Sequence, residues 1–190
     1  MKKVIFSILV CLSLISKSQP NLVYDGKDKH LKSQIDYINN LLKSDEFYNE
    51  ISKYERFYNT EYSGKEIATI LRNANIDIVV KYKLLPLCNA STTDSKCIKL
   101  SRLHFDNKTN IGINTLVHEL VHAVDFMDDE LDFTHSSNNN DDHSQDNTVP
   151  WVVGLIAENY VSKWPVFVFV NTLKLFFSRL VTINSSNVLL

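Results

Sequence analysis

The chain has few of the residues that break a fold or staple it. Its 190 residues include only four glycines and four prolines, which excludes a collagen-like or low-complexity chain. Three cysteines are too few for a disulfide-dense scaffold. No charge sign dominates: the formal net charge is −2, so nothing points to a nucleic-acid partner. A clean membrane span is also missing. Val4–Ile15 falls short of the roughly 20 apolar residues a spanning helix needs. Val166–Ile183 is interrupted by Asn171, Lys174 and Arg179. The rest, 44% hydrophobic and 22% charged, is the composition of one globular domain that can bury its own core.

The first residues read as a targeting segment. Lys2 and Lys3 precede the apolar run, and Ser16-Lys17-Ser18 is an acceptable cleavage site. The expected layout is a signal peptide at 1–18 and a single domain at 19–190, secreted or extracytoplasmic. Stable membrane association is not expected, although an uncleaved N-terminus or an anchor through Val166–Ile183 remains an alternative. Cys11 would leave with the signal. Cys88 and Cys97 would remain, flanking a polar segment, and in an exported chain they are expected to form one disulfide. A pair of free thiols is the alternative.

Along the chain, Leu31, Ile35, Ile38, Leu41 and Leu42 share one helical face, predicting a helix over Asp28–Lys43. A second helix is expected over Asp45–Tyr58. A third should start at the Ser63-Gly64-Lys65-Glu66 capping box and run to Arg72. Ile76–Leu85 and Cys97–Phe105 read as strands, the second at a sheet edge. A helix follows from about Leu116 to Met127, capped by Asn114 or Thr115. Residues 128–149 form a long polar surface loop. Pro150 then sits at the start of a helix from Trp151 to about Lys163. The segment from Asn21 to Ser63 is also readable as an inhibitory leader.

The chemistry lies in His118-Glu119-Leu120-Val121-His122. On a helix, residues four apart project from one face, so both imidazoles can hold one zinc ion. Zinc lowers the pKa of a water that it binds, and Glu119, next to the first ligand, is placed to take the proton as general base. The flanking residues Leu116, Val117, Leu120, Val121, Ala123 and Val124 are apolar. Two histidines and a carboxylate buried unpaired in such a helix would be costly, and a metal removes that cost. The alternative is a polar stripe facing solvent.

Catalytic zinc sites use three protein ligands as a rule. Glu158, on the next predicted helix, is the first candidate for the third, reached if the two helices pack antiparallel. His135 and His143 in the polar loop compete with it. Asp125, three residues after His122, suits a partner that orients an imidazole. Tyr160 is a possible donor to a developing oxyanion. The partner expected is a protein or peptide substrate, and the cofactor is one zinc ion.

Over Thr115–Val124 the sequence resembles the extended signature of the zincin metallopeptidases. The string Thr115–Asp125 is similar to the mitochondrial metalloprotease family that processes an ATP synthase subunit. It also resembles the catalytic domain of anthrax lethal factor, which shares the His122-Ala123-Val124-Asp125 continuation. The resemblance implies an α+β, zincin-like fold: a small mixed sheet with N-terminal helices, an active-site helix and a C-terminal helical part. It further implies an edge strand, here Cys97–Phe105, that aligns an extended substrate by backbone pairing. The cysteine-containing motif around the mitochondrial family's downstream Glu is absent. So is the Asn-Glu order of many Glu-liganded zincins, since Asn159 follows Glu158.

Overall fold

The computed structural model describes residues 19–58, 60–133 and 147–161. The segment 1–18 expected as a signal peptide, His135, His143 and the apolar run 166–183 lie outside the described residues.

Asp28 starts the first helix. Its carboxylate accepts from the backbone N–H groups of His30 and Leu31, and α1 (Lys29–Leu41) follows. The apolar spacing read in the sequence is the buried face: Leu31, Ile35, Ile38 and Leu41. Ser44 caps α2 (Asp45–Ser52), and the full Ser63–Glu66 capping box opens α3 (Gly64–Asn73). Helix α2 stops at Ser52 instead of reaching Tyr58. Gly64 occupies the space ahead of it, donating its N–H to the Tyr54 carbonyl at 2.9 Å. The approach is so close that a Cβ on Gly64 would lie 2.3 Å from the Ile51 carbonyl oxygen.

The sheet comprises β1 (Asn21–Val23), β2 (Asp77–Lys83), β3 (Ala90–Thr92) and β4 (Cys97–Ser101), in the order β1-β2-β4-β3. β1, β2 and β4 run parallel, and β3 is antiparallel to β4. The expected edge position of the Cys97 strand is corrected: β4 is flanked on both sides, and β3 forms the edge beside it. The strand also ends at Ser101, where the Ser101 hydroxyl accepts the N–H groups of Leu103 and His104 and turns the chain.

The disulfide expected between Cys88 and Cys97 is not formed in this structure, in which Cys88 is exposed and Cys97 buried. The register gives the reason. Ala90 lies opposite Leu100 and Thr92 opposite Ile98, so Cys88 lies beyond the Ser101 end of β4 and Cys97 at its start. The separation along the strand direction is roughly 15 Å at about 3.3 Å per residue. A disulfide needs Cα atoms within about 7 Å.

Helix α4 (Asn110–Asp125) begins a turn earlier than its cap was expected. Asp106 makes this possible by accepting the N–H groups of Lys108 and Thr109 and the Thr109 hydroxyl, which shapes the turn into the helix. The last helix among the described residues, α5, covers 149–161, with Pro150 in its first turn, where its missing N–H costs nothing. α1 packs on β1 and α4, and α4 packs on β3 and β4, so both lie on one face of the sheet. Their side chains join Leu22, Ile78, Val80, Ile98 and Leu100 in a core that also takes in Val152, Val153 and Ala157 of α5. The class is α+β. No helix among the described residues is long and apolar enough to cross a membrane.

Candidate active site

Helix α4 is buried along most of its circumference, through Ile113, Leu116, Val117, Leu120, Val121, Ala123 and Val124. Against that background three polar side chains, Asn114, His118 and His122, recur every four residues and form a single stripe. The rings of His118 and His122 have centroids 5.0 Å apart at an interplanar angle of 71°. The stripe faces α5. Trp151 meets His118 edge-on at 6.4 Å.

Gly154 sits against Asn114 so closely that a Cβ would lie 2.5 Å from the Asn114 side-chain oxygen and 2.9 Å from its carbonyl. Glu158, a turn beyond Gly154, accepts a 2.8 Å hydrogen bond from Asn114 Nδ2. These contacts pair 151 with 118, and 154 and 158 with 114, which makes the helices antiparallel. Glu158 therefore reaches the histidine-bearing stripe, but at Asn114, one turn before His118. Among the described residues no three His, Cys, Asp or Glu side chains gather closely enough to hold a metal.

The contact at Gly154 is testable. Gly154→Val places bulk between α4 and α5 and should cost about 1–3 kcal/mol in denaturant unfolding, as overpacked sites do. Wild-type stability in that variant would contradict the close approach.

Glu119 points elsewhere, toward the sheet edge. The residue is 8% exposed. Burial pushes its carboxyl above the ordinary carboxylate range, and hydrogen bonds from the Thr92 hydroxyl and backbone N–H pull it partly back. The Thr92 hydroxyl also lies 3.2 Å from the Glu119 carbonyl oxygen. Thr92 belongs to β3, so the carboxylate stands between the histidine helix and the edge strand.

Asp125 accepts the backbone N–H of Phe133 at 3.0 Å, and burial raises its carboxyl above the usual range. This carboxylate pins the chain that leaves α4. Tyr160 packs at the margin of the core, where Glu46, Glu50 and Tyr37 are its charged or ionisable neighbours. A cleft of 1130 Å³ lies beside the chain that follows α4, lined by Arg56, Tyr58, Tyr62, Glu130 and Asp132 among others. None of His118, Glu119 or His122 is among the described residues that line it.

The structure adds three residues to those expected from the sequence: Thr92 against Glu119, Asn114 on Glu158, and Trp151 against His118. For Asn114 a signal exists in the sequence, because it lies four residues before His118 just as His122 lies four after. Thr92 carries none, since its role depends on the strand pairing. Compared with protein-family models, with curated proteins and with solved structures, the chain matches none.

Proposed function

We propose that the chain is a zinc-dependent peptidase of zincin-like architecture, with His118 and His122 as metal ligands and Glu119 as general base. One observation carries the reading. An apolar helix presents two imidazoles on one face, next to a buried carboxylate that abuts an edge strand. The described residues supply two nitrogen ligands of the three usual for a catalytic zinc. Glu158 is the proposed third, from the helix facing the stripe, with His135 and His143 as alternatives. Bound there, zinc would polarise a peptide carbonyl and make water a nucleophile near neutral pH.

The chain's own groups do the rest. Glu119, its carboxyl raised by burial, is matched to accepting and returning a proton. Among the described residues β3 has one side unpaired in the sheet, which suits backbone pairing with an extended peptide running past Glu119. It takes the substrate-aligning role first expected of the Cys97 strand. The basic-then-apolar start of the sequence supports export, which places the activity outside the cytoplasm.

A second reading is an exported binding protein that keeps this architecture without turnover. It is favoured by the absence of a three-ligand cluster among the described residues. Metal analysis of Glu158→Ala separates the two at the third ligand. The peptidase reading with Glu158 in the site expects a zinc affinity about 10-fold or more below wild type. Unchanged affinity removes Glu158 from the site.

A further inference from the structure

At the C-terminal ends of β2 and β4, two turns project together. One is the β2–β3 connection, residues 84–89, and the other is the β4–α4 connection, residues 102–109. The sheet is parallel here, so both turns leave from the same end. Leu84, Leu87 and Leu103 are 73%, 95% and 64% exposed at this tip, which is costly for large apolar side chains left in water.

The tip is nevertheless ordered by specific bonds. Arg102 N–H donates to the Lys83 carbonyl at 3.0 Å, and the Ser101 hydroxyl donates to the Leu85 carbonyl at 2.8 Å. His104 Nε2 lies 3.2 Å from the Pro86 carbonyl. The leucines are thus displayed on a fixed frame, and large exposed apolar side chains grouped at one end of a sheet mark an interaction surface.

Charge identifies the partner. Lys81 and Lys83 precede Leu84 on β2, Arg102 precedes Leu103, and all three are exposed. On the face of the sheet away from α1 and α4, Lys81 and Lys99 are direct register partners, a like-charge pairing that opposes folding. No acidic residue occurs between Asp77 and Asp94, or between Asp94 and Asp106. At the base of the tip, Asp28 bonds Tyr82 and Asn107, and Asp106 bonds Lys108 and Thr109. The chain's own terminal segments are poor candidates to cover the patch. Residues 1–20 and 159–190 contain lysine and arginine but no Asp or Glu, so they would bring like charge to it.

We propose that this tip docks reversibly on an anionic phospholipid surface. Leu84, Leu87 and Leu103 enter the headgroup–acyl boundary, and Lys81, Lys83 and Arg102 meet the phosphates. The attachment is peripheral, requires no spanning helix, and stands whether or not the chain binds zinc.

Cys88 lies on the tip with an exposed thiol, and Cys97 is buried, so the chain offers a reporter position. In a Cys11→Ser background, Cys88 is labelled with an environment-sensitive dye and mixed with vesicles of phosphatidylcholine alone or with phosphatidylglycerol. The expected result is a blue shift and brightening only with the anionic vesicles, weakened by salt. Lys81→Gln with Lys83→Gln should weaken binding roughly 30-fold, at about 1 kcal/mol for each of the two cations at such a surface. Leu84→Ser with Leu87→Ser and Leu103→Ser should abolish the dye response. Three results overturn the proposal: no binding to anionic vesicles, co-sedimentation without a change at Cys88, or a dye already shielded before vesicles are added. The second assigns binding to another segment, and the third assigns the patch to another part of the chain.

Discussion

Glu119→Gln should lose peptide hydrolysis by about 100- to 10,000-fold, the range contributed by a positioned general base. The substitution keeps the side chain's size and removes only its capacity to take a proton. His118 and His122 are untouched, so zinc content should equal wild type. Folding stability should hold or rise, because a neutral amide escapes the desolvation that burial imposes on the carboxylate, and it can still meet Thr92. The measurement is a turnover assay on a quenched peptide mixture, with metal content and thermal unfolding of the same samples. Undiminished turnover would remove Glu119 from the reaction. Turnover lost together with zinc or with the fold would show that the residue acts in the scaffold.

Removing residues 19–63 should abolish the fold. The sequence allowed this segment to be an inhibitory leader, but the structure gives it β1, α1 and α2. Leu22, Leu31, Ile35, Ile38, Leu41, Leu42, Phe47, Tyr48, Ile51 and Phe57 are all buried in the common core. At about 1.5–3 kcal/mol each, their burial is worth roughly 15–30 kcal/mol. A domain's whole net stability is about 5–15 kcal/mol. The loss also bares the β2 edge that β1 covers. A chain beginning at Gly64 should show no cooperative unfolding transition and should aggregate. A folded, more active product would restore the leader reading.

Local signals in the sequence were good guides to helices. The spacing of Leu31, Ile35, Ile38 and Leu41 and the Ser63–Glu66 capping box each correspond to an observed element, because their physics is contained within a few residues. The sheet was less legible. β1 and β3 have three residues each, too short to show an alternation, and exist through their partners. Which strand lies at the edge depends on pairing order, and so does the separation of Cys88 from Cys97.

The site divides along the same line. His118, Glu119 and His122 share one helix, so their relation follows from helical geometry alone. The contacts of Thr92 with Glu119 and of Glu158 with Asn114 span 27 and 44 residues, and only tertiary packing brings them together. Asp125 adds a bond that spacing does not show, since it accepts the N–H of Phe133, eight residues on.

The central claim is that α4 holds zinc through its two histidines, and the most direct measurement is the metal content of purified chain compared with His118→Ala/His122→Ala. The account predicts about one zinc per wild-type chain, as in single-ion catalytic sites, and none in the double variant when both are folded. Wild-type chain without zinc after exposure to the metal, or a double variant that keeps it, would contradict the account.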